Sequence, residues 1–502
     1  MDTDVIVVGA GPVGLMLAGE LRLGGADVVV LERLARPTTE SRASTLHART
    51  MELLDQRGLL ETLGTPPHEP RGHFGGLPLD LGTQNSRFAG QWKVAQTRLE
   101  ALLGEWATGQ GARILREHTL TSLTAADDQV TAGVETPSGP VTIRAAYLVG
   151  CDGDQSTVRQ VGGFDFPGTP ATRELLRCDM TGADVADRRF ERYPDGLATA
   201  VTHDGLTRLM VHQFDRVPNP SRKPDFDDVV EAWKRVTGED IGAATPVWIN
   251  ALSDASHLAA QYRRGRVLLA GDAAHRQLPV GGQAVNLGVH DAVNLGWKLA
   301  AQVAGWAPAR LLDTYHDERH AVGRRVLDNI EAQTRLLLGA DVEGLRSTFG
   351  ELIGLTAVQA RLADMIGGLD VRYRPGDHPL VGAHIPHLAL ASERGRTSTT
   401  QLLRAGRAVV LELSGQPRRW AEVARTAAGQ RGRVECVRAT LRAAAFTRPH
   451  ASALQDVRTL VLRPDGHVAW AGDRSSAARP ALASWFGPPE RHPFSHDRRR
   501  HR

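Results

Sequence analysis

The chain has 502 residues, 41% of them hydrophobic and 23% charged, with a formal net charge of +3; this is the balance of an ordinary globular protein and excludes a disordered or fibrous one. Only four of its 60 basic residues are lysines (Lys93, Lys223, Lys234 and Lys298), and the arginines alternate with acids along most of the chain. The concentrated basic stripe that nucleic acid or an anionic membrane surface requires is therefore lacking, and neither is an expected partner.

At roughly 150 residues per domain the length predicts two to four domains. Cys151, Cys178 and Cys436 are too widely spaced for a disulfide framework or a metal set, so no metal is expected and a reducing cytoplasm is the expected compartment. Asp2 and Asp4 stand where an export signal needs positive charge, and no uncharged run is long enough to span a membrane.

Val5 to Val8 is a β-branched run followed by Gly9-Ala10-Gly11-Pro12-Val13-Gly14, after which Leu15, Leu17, Ala18, Leu21 and Leu23 recur at helical spacing. Strand, tight turn and helix in that order make a dinucleotide cradle: Gly9 permits the turn, Gly11 lets backbone approach a pyrophosphate, and Gly14 lets the helix pack on the strand. A second apolar run, Val28 to Leu31, ends at Glu32, an acid placed to accept hydrogen bonds from ribose hydroxyls, with Arg33 next to it. This motif alone does not separate FAD from NAD.

Further on, Gln96 opens a helix carrying Leu99, Leu102, Leu103 and Trp106, and Leu148 to Cys151 is a buried strand running into an Asp152-Gly153 turn. From about Cys178 to Tyr262, stretches such as LTRLMVHQF and TPVWINAL alternate as antiparallel strands do, whereas DFDDVVEAWKRVTG is an amphipathic helix. Val267 to Ala270 then delivers Gly271-Asp272, followed by Pro279, Gly281 and Gly282, and only then a long helix. Three strand-to-loop deliveries this far apart predict one sheet domain assembled from separated segments. Residues 326 to 366 read as helical, and RPGDHPLVGAHIPHL as a Pro/Gly linker.

These motifs, with Ser41-Arg42-Ala43, His47-Ala48-Arg49-Thr50-Met51-Glu52, Leu99-Glu100 and Gly271-Asp272-Ala273-Ala274-His275, resemble the FAD-dependent aromatic hydroxylases built like para-hydroxybenzoate hydroxylase, in the branch that tailors aromatic polyketides such as angucyclines. The resemblance covers nearly the whole chain. It implies an α/β fold: a Rossmann-like FAD-binding domain in two parts (1–177 and 263–378), an inserted β-rich substrate domain (178–262) and a thioredoxin-like C-terminal domain (379–490); the tail 491–502, basic without relief from His492, reads as a solvated, disordered terminus. It implies FAD as cofactor, NADPH or NADH as transient co-substrate, and O₂. The implied reaction is hydroxylation of a small polycyclic aromatic substrate through a flavin C4a-hydroperoxide, in antibiotic biosynthesis. Baeyer-Villiger insertion, epoxidation, antibiotic inactivation and a non-oxygenating flavoprotein partner are the alternatives it leaves open.

The resemblance also assigns roles. Asp272 and Gln96 would contact the ribityl chain, Arg42 would follow the flavin, and Asp152-Gly153 would lie by a pyrophosphate. The backbone Pro279, Gly281, Gly282, Gln283, Ala284, Val285 and Asn286 would pass along the isoalloxazine edge, Pro279 and Gly282 with Arg42 forming the catalytic surround. The chain departs from the family at Ala284-Val285, where relatives commonly carry Gly-Met; an Ala forced to positive φ there would cost roughly 1 kcal/mol. His73, Phe74, Trp92, Phe190, Met210, His212 and Trp248 are the candidate substrate walls, the two histidines as groups that orient a phenol. The lone Cys436 excludes C-x-x-C redox chemistry from the C-terminal segment, leaving packing or a subunit contact, as in a homodimer, for its use.

Overall fold

The computed structural model of the protein describes residues 2–39, 44–214, 216–218, 222–430, 432–442 and 453–488; Arg42, the neighbouring Ser41 and Ala43, and the tail from 491 lie outside them. Val5, Ile6 and Val7 are fully buried because their strand, Thr3–Val8, is the middle of an eight-stranded sheet covered on both faces. Its parallel neighbours are Val28–Glu32 on one side and Gly139–Gly150 on the other, with Arg113–Arg116 and Val267–Leu269 beyond them. The strands ending at Val8, Gly150 and Leu269 are thus adjacent and parallel, so their following turns emerge together at one sheet end, where α/β folds hold ligands. Helix Pro12–Leu23 packs against both Gln96–Gly109 and Gln283–Val303 over that sheet.

A five-stranded antiparallel sheet follows, ordered Arg188–Tyr193, Gly196–His203, Leu206–Gln213, Glu174–Thr181, Thr245–Ser253. Strand side chains alternate between faces. Leu176, Cys178, Met180, Ala198, Ala200, Leu209 and Val211 pack on Trp233 of the helix Phe226–Thr237, whose N-terminus carries an Asp225/Asp228 capping box. The alternate residues, including Leu175, Arg177, Met210 and Trp248, form the opposite face, and Leu175 and Met210 pack against Leu278 and Val280.

The C-terminal segment folds as strand Ala408–Glu412, helix Pro417–Thr426, parallel strand Val434–Leu441, then the hairpin Thr459–Leu462/Val468–Gly472 and helix Arg479–Phe486. With Ala408–Glu412 between its parallel and antiparallel neighbours, this is the thioredoxin-like arrangement. Among the described residues no helix is long and apolar enough to cross a membrane.

Buried ions join this segment to the rest. The hairpin turn sends Arg463 to both oxygens of Glu318 (2.7 and 2.9 Å), which also receives Lys298 (2.7 Å) and Asn294 (2.8 Å). Arg57 spans Glu20 (2.5 and 2.9 Å) and the carbonyls of Leu403 (2.9 Å) and Pro464 (3.0 Å). Burial alone would raise the Glu318 carboxyl; Arg463 and Lys298 outweigh it and hold the group at about 2. A carboxyl depressed in the folded state contributes stability above its ordinary value of 4.5 that is lost as pH falls toward 2. Glu318→Ala, which takes the carboxylate from buried Lys298 and leaves Arg463 only Asp465, is expected to cost about 3–5 kcal/mol in urea unfolding at neutral pH. The wild type is expected to lose much of that margin between pH 4.5 and 2, where the variant has little left to lose; equal acid sensitivity of both proteins contradicts this account.

Candidate active site

The first turn shows why each glycine stands where it does. A Cβ at Gly9 would collide with the Cys151 carbonyl oxygen, and one at Gly14 with the carbonyl oxygen of Gly9, so these two let the turn and helix close on the sheet. A Cβ at Gly11 would meet nothing within 4 Å, although the residue has ordinary φ of −76°. The space over Gly11 lies at the N-terminus of Pro12–Leu23, a helix with Pro12 at its start and no side-chain cap, where anions are stabilised. Glu32 accepts from the Ala10 amide (2.8 Å) and the Leu34 amide (2.9 Å), which fixes its carboxylate beside the turn; Arg33 is exposed.

The second and third turns meet the first directly. The Val13 side chain sits in a notch where a Cβ at Gly271 would come within 2.9 Å of it and one at Gly288 within 2.6 Å. Asp272 is exposed at the start of the short turn Gly271–Ala273. Asp152 accepts from Ser156 Oγ (2.5 Å) and the Val158 amide (3.0 Å), so one oxygen holds the Ser156 hydroxyl that caps the helix Thr157–Val161 and the other takes an amide of its first turn, next to the loop at Gly153 (φ +79°). Gln96, at the start of its helix, donates to Glu100 (2.8 Å), whose carboxyl is pushed up by burial.

Beyond Pro279 the backbone takes two consecutive left-handed residues, Gly281 (φ +68°) and Gly282 (φ +68°), and enters the helix Gln283–Val303 without a side-chain cap. Helix geometry leaves the first amides of Gln283, Ala284 and Val285 without intrahelical acceptors. Ala284 is right-handed helix, so the strain expected from its replacing a glycine does not arise; the left-handed pair precedes it. Asn286 does not offer its side chain to a ligand. It accepts from the His47 amide (2.9 Å) and donates to Thr45 O (3.1 Å) and Gly282 O (2.7 Å), tying the glycine turn to the strand Thr45–His47. His47 Nε2–H donates to Gly281 O (2.7 Å), and burial, the largest influence, lowers this imidazole to about 4, so it is neutral. The buried Gln283 Nε2 and His47 Nδ1 have no hydrogen-bond partner among the described residues.

Of the proposed substrate walls, Phe190 and Met210 pack with Leu278 and Val280 of this turn, His73 packs on Phe190, and Trp248 shares the sheet face that carries Arg177 and Met210. The strand Arg71–Phe74 runs beside the turn Val280–Gly282. His73 Nδ1 accepts from the Gly76 amide (3.2 Å), leaving the proton of the neutral ring on Nε2, which bonds no described residue. Burial, then Arg189, His47 and Lys93, lowers His73 to about 3. Its ring lies 4.3 Å from that of Phe190, and the Arg177 guanidinium lies 4.9 Å from the Trp248 ring.

Three of the proposed walls are held elsewhere. Phe74 follows His73 on one strand and points to the opposite side, into a core with Leu79, Leu336 and Phe349 (rings 5.3 Å apart). Trp92 donates to Phe88 O (2.9 Å) and packs on the core of the larger sheet. His212 has Nδ1 2.7 Å from Glu174 O and Nε2 3.2 Å from Leu338 O, so it ties the sheet to the helix Asp313–Leu338 and cannot turn to a phenol.

Behind the third turn lies a group that motif reading missed. The buried Asp291 carboxylate accepts from the Gly271 amide (3.1 Å), His275 Nε2 (2.8 Å) and Arg319 Nε (2.6 Å). Its signal was present: Asp291, Asn294 and Lys298 recur at helical spacing inside a helix otherwise apolar enough to be buried. Taken together, the open space over Gly11, the two uncapped helix ends, the Glu32 carboxylate and the orphaned Gln283 amide fit an elongated dinucleotide that ends against the Pro279–Val285 backbone.

Residues 2–330 match the FAD binding domain family and residues 378–489 the aromatic-ring hydroxylase C-terminal family. A 12-dehydrotetracycline 5-monooxygenase/anhydrotetracycline 6-monooxygenase of Streptomyces rimosus is 41% identical, covering 97% of this chain and 100% of that protein. A dialkyldecalin synthase of Streptomyces rugosporus is 39% identical over 97% of this chain and 100% of its own length. The crystal structure of CabE, an aromatic hydroxylase from angucycline biosynthesis, superposes with a TM-score of 0.92 at 47% identity, covering 98% of this chain and 100% of that one. The chain belongs to the FAD-dependent aromatic-ring hydroxylases built like para-hydroxybenzoate hydroxylase.

Proposed function

We propose that this protein is a single-component monooxygenase that uses FAD, a reduced nicotinamide and O₂ to hydroxylate a polycyclic aromatic polyketide. The observation that carries the reading is the Gly281-Gly282 turn with the uncapped helix after it, facing the inner side of the antiparallel sheet. Gly9 to Val13, Glu32, Gln96, Asp272 and the backbone from Pro279 to Val285 would hold FAD, which when bound supplies hydride acceptance and oxygen activation. The chain itself contributes fixed amides and a helix N-terminus, whose partial positive charge favours an anionic ring system without reorganising. Leu278 and Val280, packed against Leu175, Leu197 and Ile330, keep water from the flavin side of the turn. His73 offers a fixed donor at Nε2 to a substrate oxygen, with Phe190 against its ring. The names of the tetracycline-type and angucycline-type relatives support a polycyclic aromatic substrate.

Purified protein is expected to be yellow and to oxidise NADPH in step with hydroxylation of an angucycline-type or anhydrotetracycline-type panel. The product should be one oxygen atom heavier with its ring skeleton intact; a ring-expanded lactone would assign Baeyer-Villiger chemistry, and a colourless protein that takes up no FAD would remove the proposal.

Gly11→Ala and Gly14→Ala separate cofactor contact from folding. The first should leave apoprotein stability within about 0.5 kcal/mol of wild type while weakening FAD about tenfold, or about 1.4 kcal/mol. The second should destabilise the fold itself by about 1–3 kcal/mol. Titration of apoprotein with FAD and urea unfolding read the two effects.

His73→Phe preserves the ring against Phe190 and removes the donor. Loss of one neutral hydrogen bond, about 1 kcal/mol, predicts roughly fivefold lower kcat/KM for the aromatic substrate, with the FAD dissociation constant unchanged. Steady-state kinetics beside FAD titration test it, and unaltered kcat/KM would free His73 of this role.

A further inference from the structure

The Asp291 group does not end at the cofactor turn. Arg319, which donates from Nε to Asp291, also donates from Nη2 to Leu287 O (3.0 Å) and from Nη1 to the Tyr373 hydroxyl (2.8 Å). Tyr373 lies in the segment leading to the C-terminal domain and is buried. Its ring lies 4.3 Å from that of His467, and the Arg463 guanidinium lies 5.4 Å from it. Its amide donates to Gly382 O (2.8 Å), and the Gly382 amide in turn donates to Val468 O (2.9 Å) of the same hairpin. The hairpin is itself held by Arg463 on Glu318, the residue next to Arg319. An unbroken series of packed rings and hydrogen bonds thus runs from the C-terminal hairpin through Tyr373, Arg319 and Asp291 to the amide of Gly271, beside Asp272.

We propose that Tyr373 is a positioning residue through which the docked C-terminal domain holds the Gly271-Asp272 turn in its FAD-binding geometry. The domain is then part of the cofactor site through this series of contacts. The physical reason is directional. Arg319 bonds three acceptors, two on the helix Gln283–Val303 and one on the segment that carries Tyr373, and the hydroxyl of Tyr373 fixes the rotation of its guanidinium plane, which decides how squarely Nε meets Asp291. With that hydroxyl gone, Arg319 can re-aim toward other acceptors and the carboxylate loses a constraint on the side facing away from Gly271. The inference rests on the FAD reading above.

The test is a double-mutant cycle of Tyr373→Phe and Asp291→Asn on the full chain, with apoprotein titrated with FAD by quenching of flavin fluorescence. Tyr373→Phe should weaken FAD roughly five- to tenfold, the lower range of measured couplings between separated sites. In the pair the two effects should be less than additive, since both act through Arg319. Glu61→Gln, which breaks the exposed pair of Glu61 with Arg404 (2.8 Å) between the same two parts of the chain, should leave FAD affinity unchanged. If Asp291→Asn is not recovered folded, the visible spectrum of flavin bound to Tyr373→Phe replaces the cycle, and a shift from the wild-type spectrum is expected. A Tyr373→Phe dissociation constant within twofold of wild type, additive effects, or, where the spectrum stands in for the cycle, an unshifted spectrum overturns the proposal; failure of the wild type to bind FAD overturns the cofactor reading instead.

Discussion

One fully buried carboxylate, Asp291, fixes the relation between the parts of this protein that matter for its chemistry. Burial raises the cost of its charge; the Arg319 guanidinium and His275 outweigh that cost and hold it below the usual carboxylate range, so it stays ionised. An ionised group without access to water needs its lone pairs filled. Asp291 fills them from a loop amide, a loop imidazole and a guanidinium on the next long helix. The turn after Val267–Leu269 can therefore sit in only one place relative to Gln283–Val303. Val13, seated between Gly271 and Gly288, passes that constraint to the first turn. The groove is shaped by an interaction that lies entirely behind it.

In front of the groove the logic is reversed, and titrating charge is kept away. His47 at about 4 and His73 at about 3 are both neutral imidazoles at physiological pH, chiefly because they are buried. The cations Lys93 and Arg189 are near enough to lower His73 but belong to exposed positions. Positive potential along the Pro279–Val285 backbone comes instead from amides and a helix end, which carry no proton that pH can remove. Such a site stabilises developing negative charge in the same way over a broad pH range. It also explains why the sequence shows no acid, base or nucleophile set out in the patterns those roles usually take.

Much of this was legible in the residues. The Gly9-to-Gly14 turn, the strands leading to Asp152 and Asp272, and the glycine pair before a long helix were readable because local conformation and local sequence coincide there. The alternation of LTRLMVHQF marked a strand, but periodicity says which residues share a face, not which face meets the flavin turn. His212 illustrates this limit: it does lie on the inner face, yet its two ring nitrogens sit against the carbonyls of Glu174 and Leu338, the second 126 residues away, and its one N–H donates to one of them. Phe74 and Trp92 show the opposite limit, since short strands outside the main sheets decide their direction. Ala284 looked strained because the need for positive φ had been placed two residues too late. Asp291, Arg319 and Tyr373 carry no motif at all, and their partnership exists only once distant helices have packed.

The same packing explains what a thioredoxin-like domain does here without a redox pair. Cys436 is half-buried, its thiol pushed up to about 11 by burial and then by Glu435, so at neutral pH it is neither a thiolate nor paired with a second cysteine. What the domain presents to the larger sheet is a rigid hairpin turn, Arg463 to Val468, whose side chains are buried against Trp297, Glu318 and Tyr373. Glu318 and Arg319 are consecutive on one helix and so point about 100° apart. One faces the hairpin and the other faces Asp291. A displacement of the hairpin acts on Glu318, and through the rotation of that helix it reaches Arg319 and the turn at Gly271. A helix with two buried charges at adjacent positions cannot yield to one partner without disturbing the other, and this makes the C-terminal domain a buttress of the cofactor groove rather than an appendage to it.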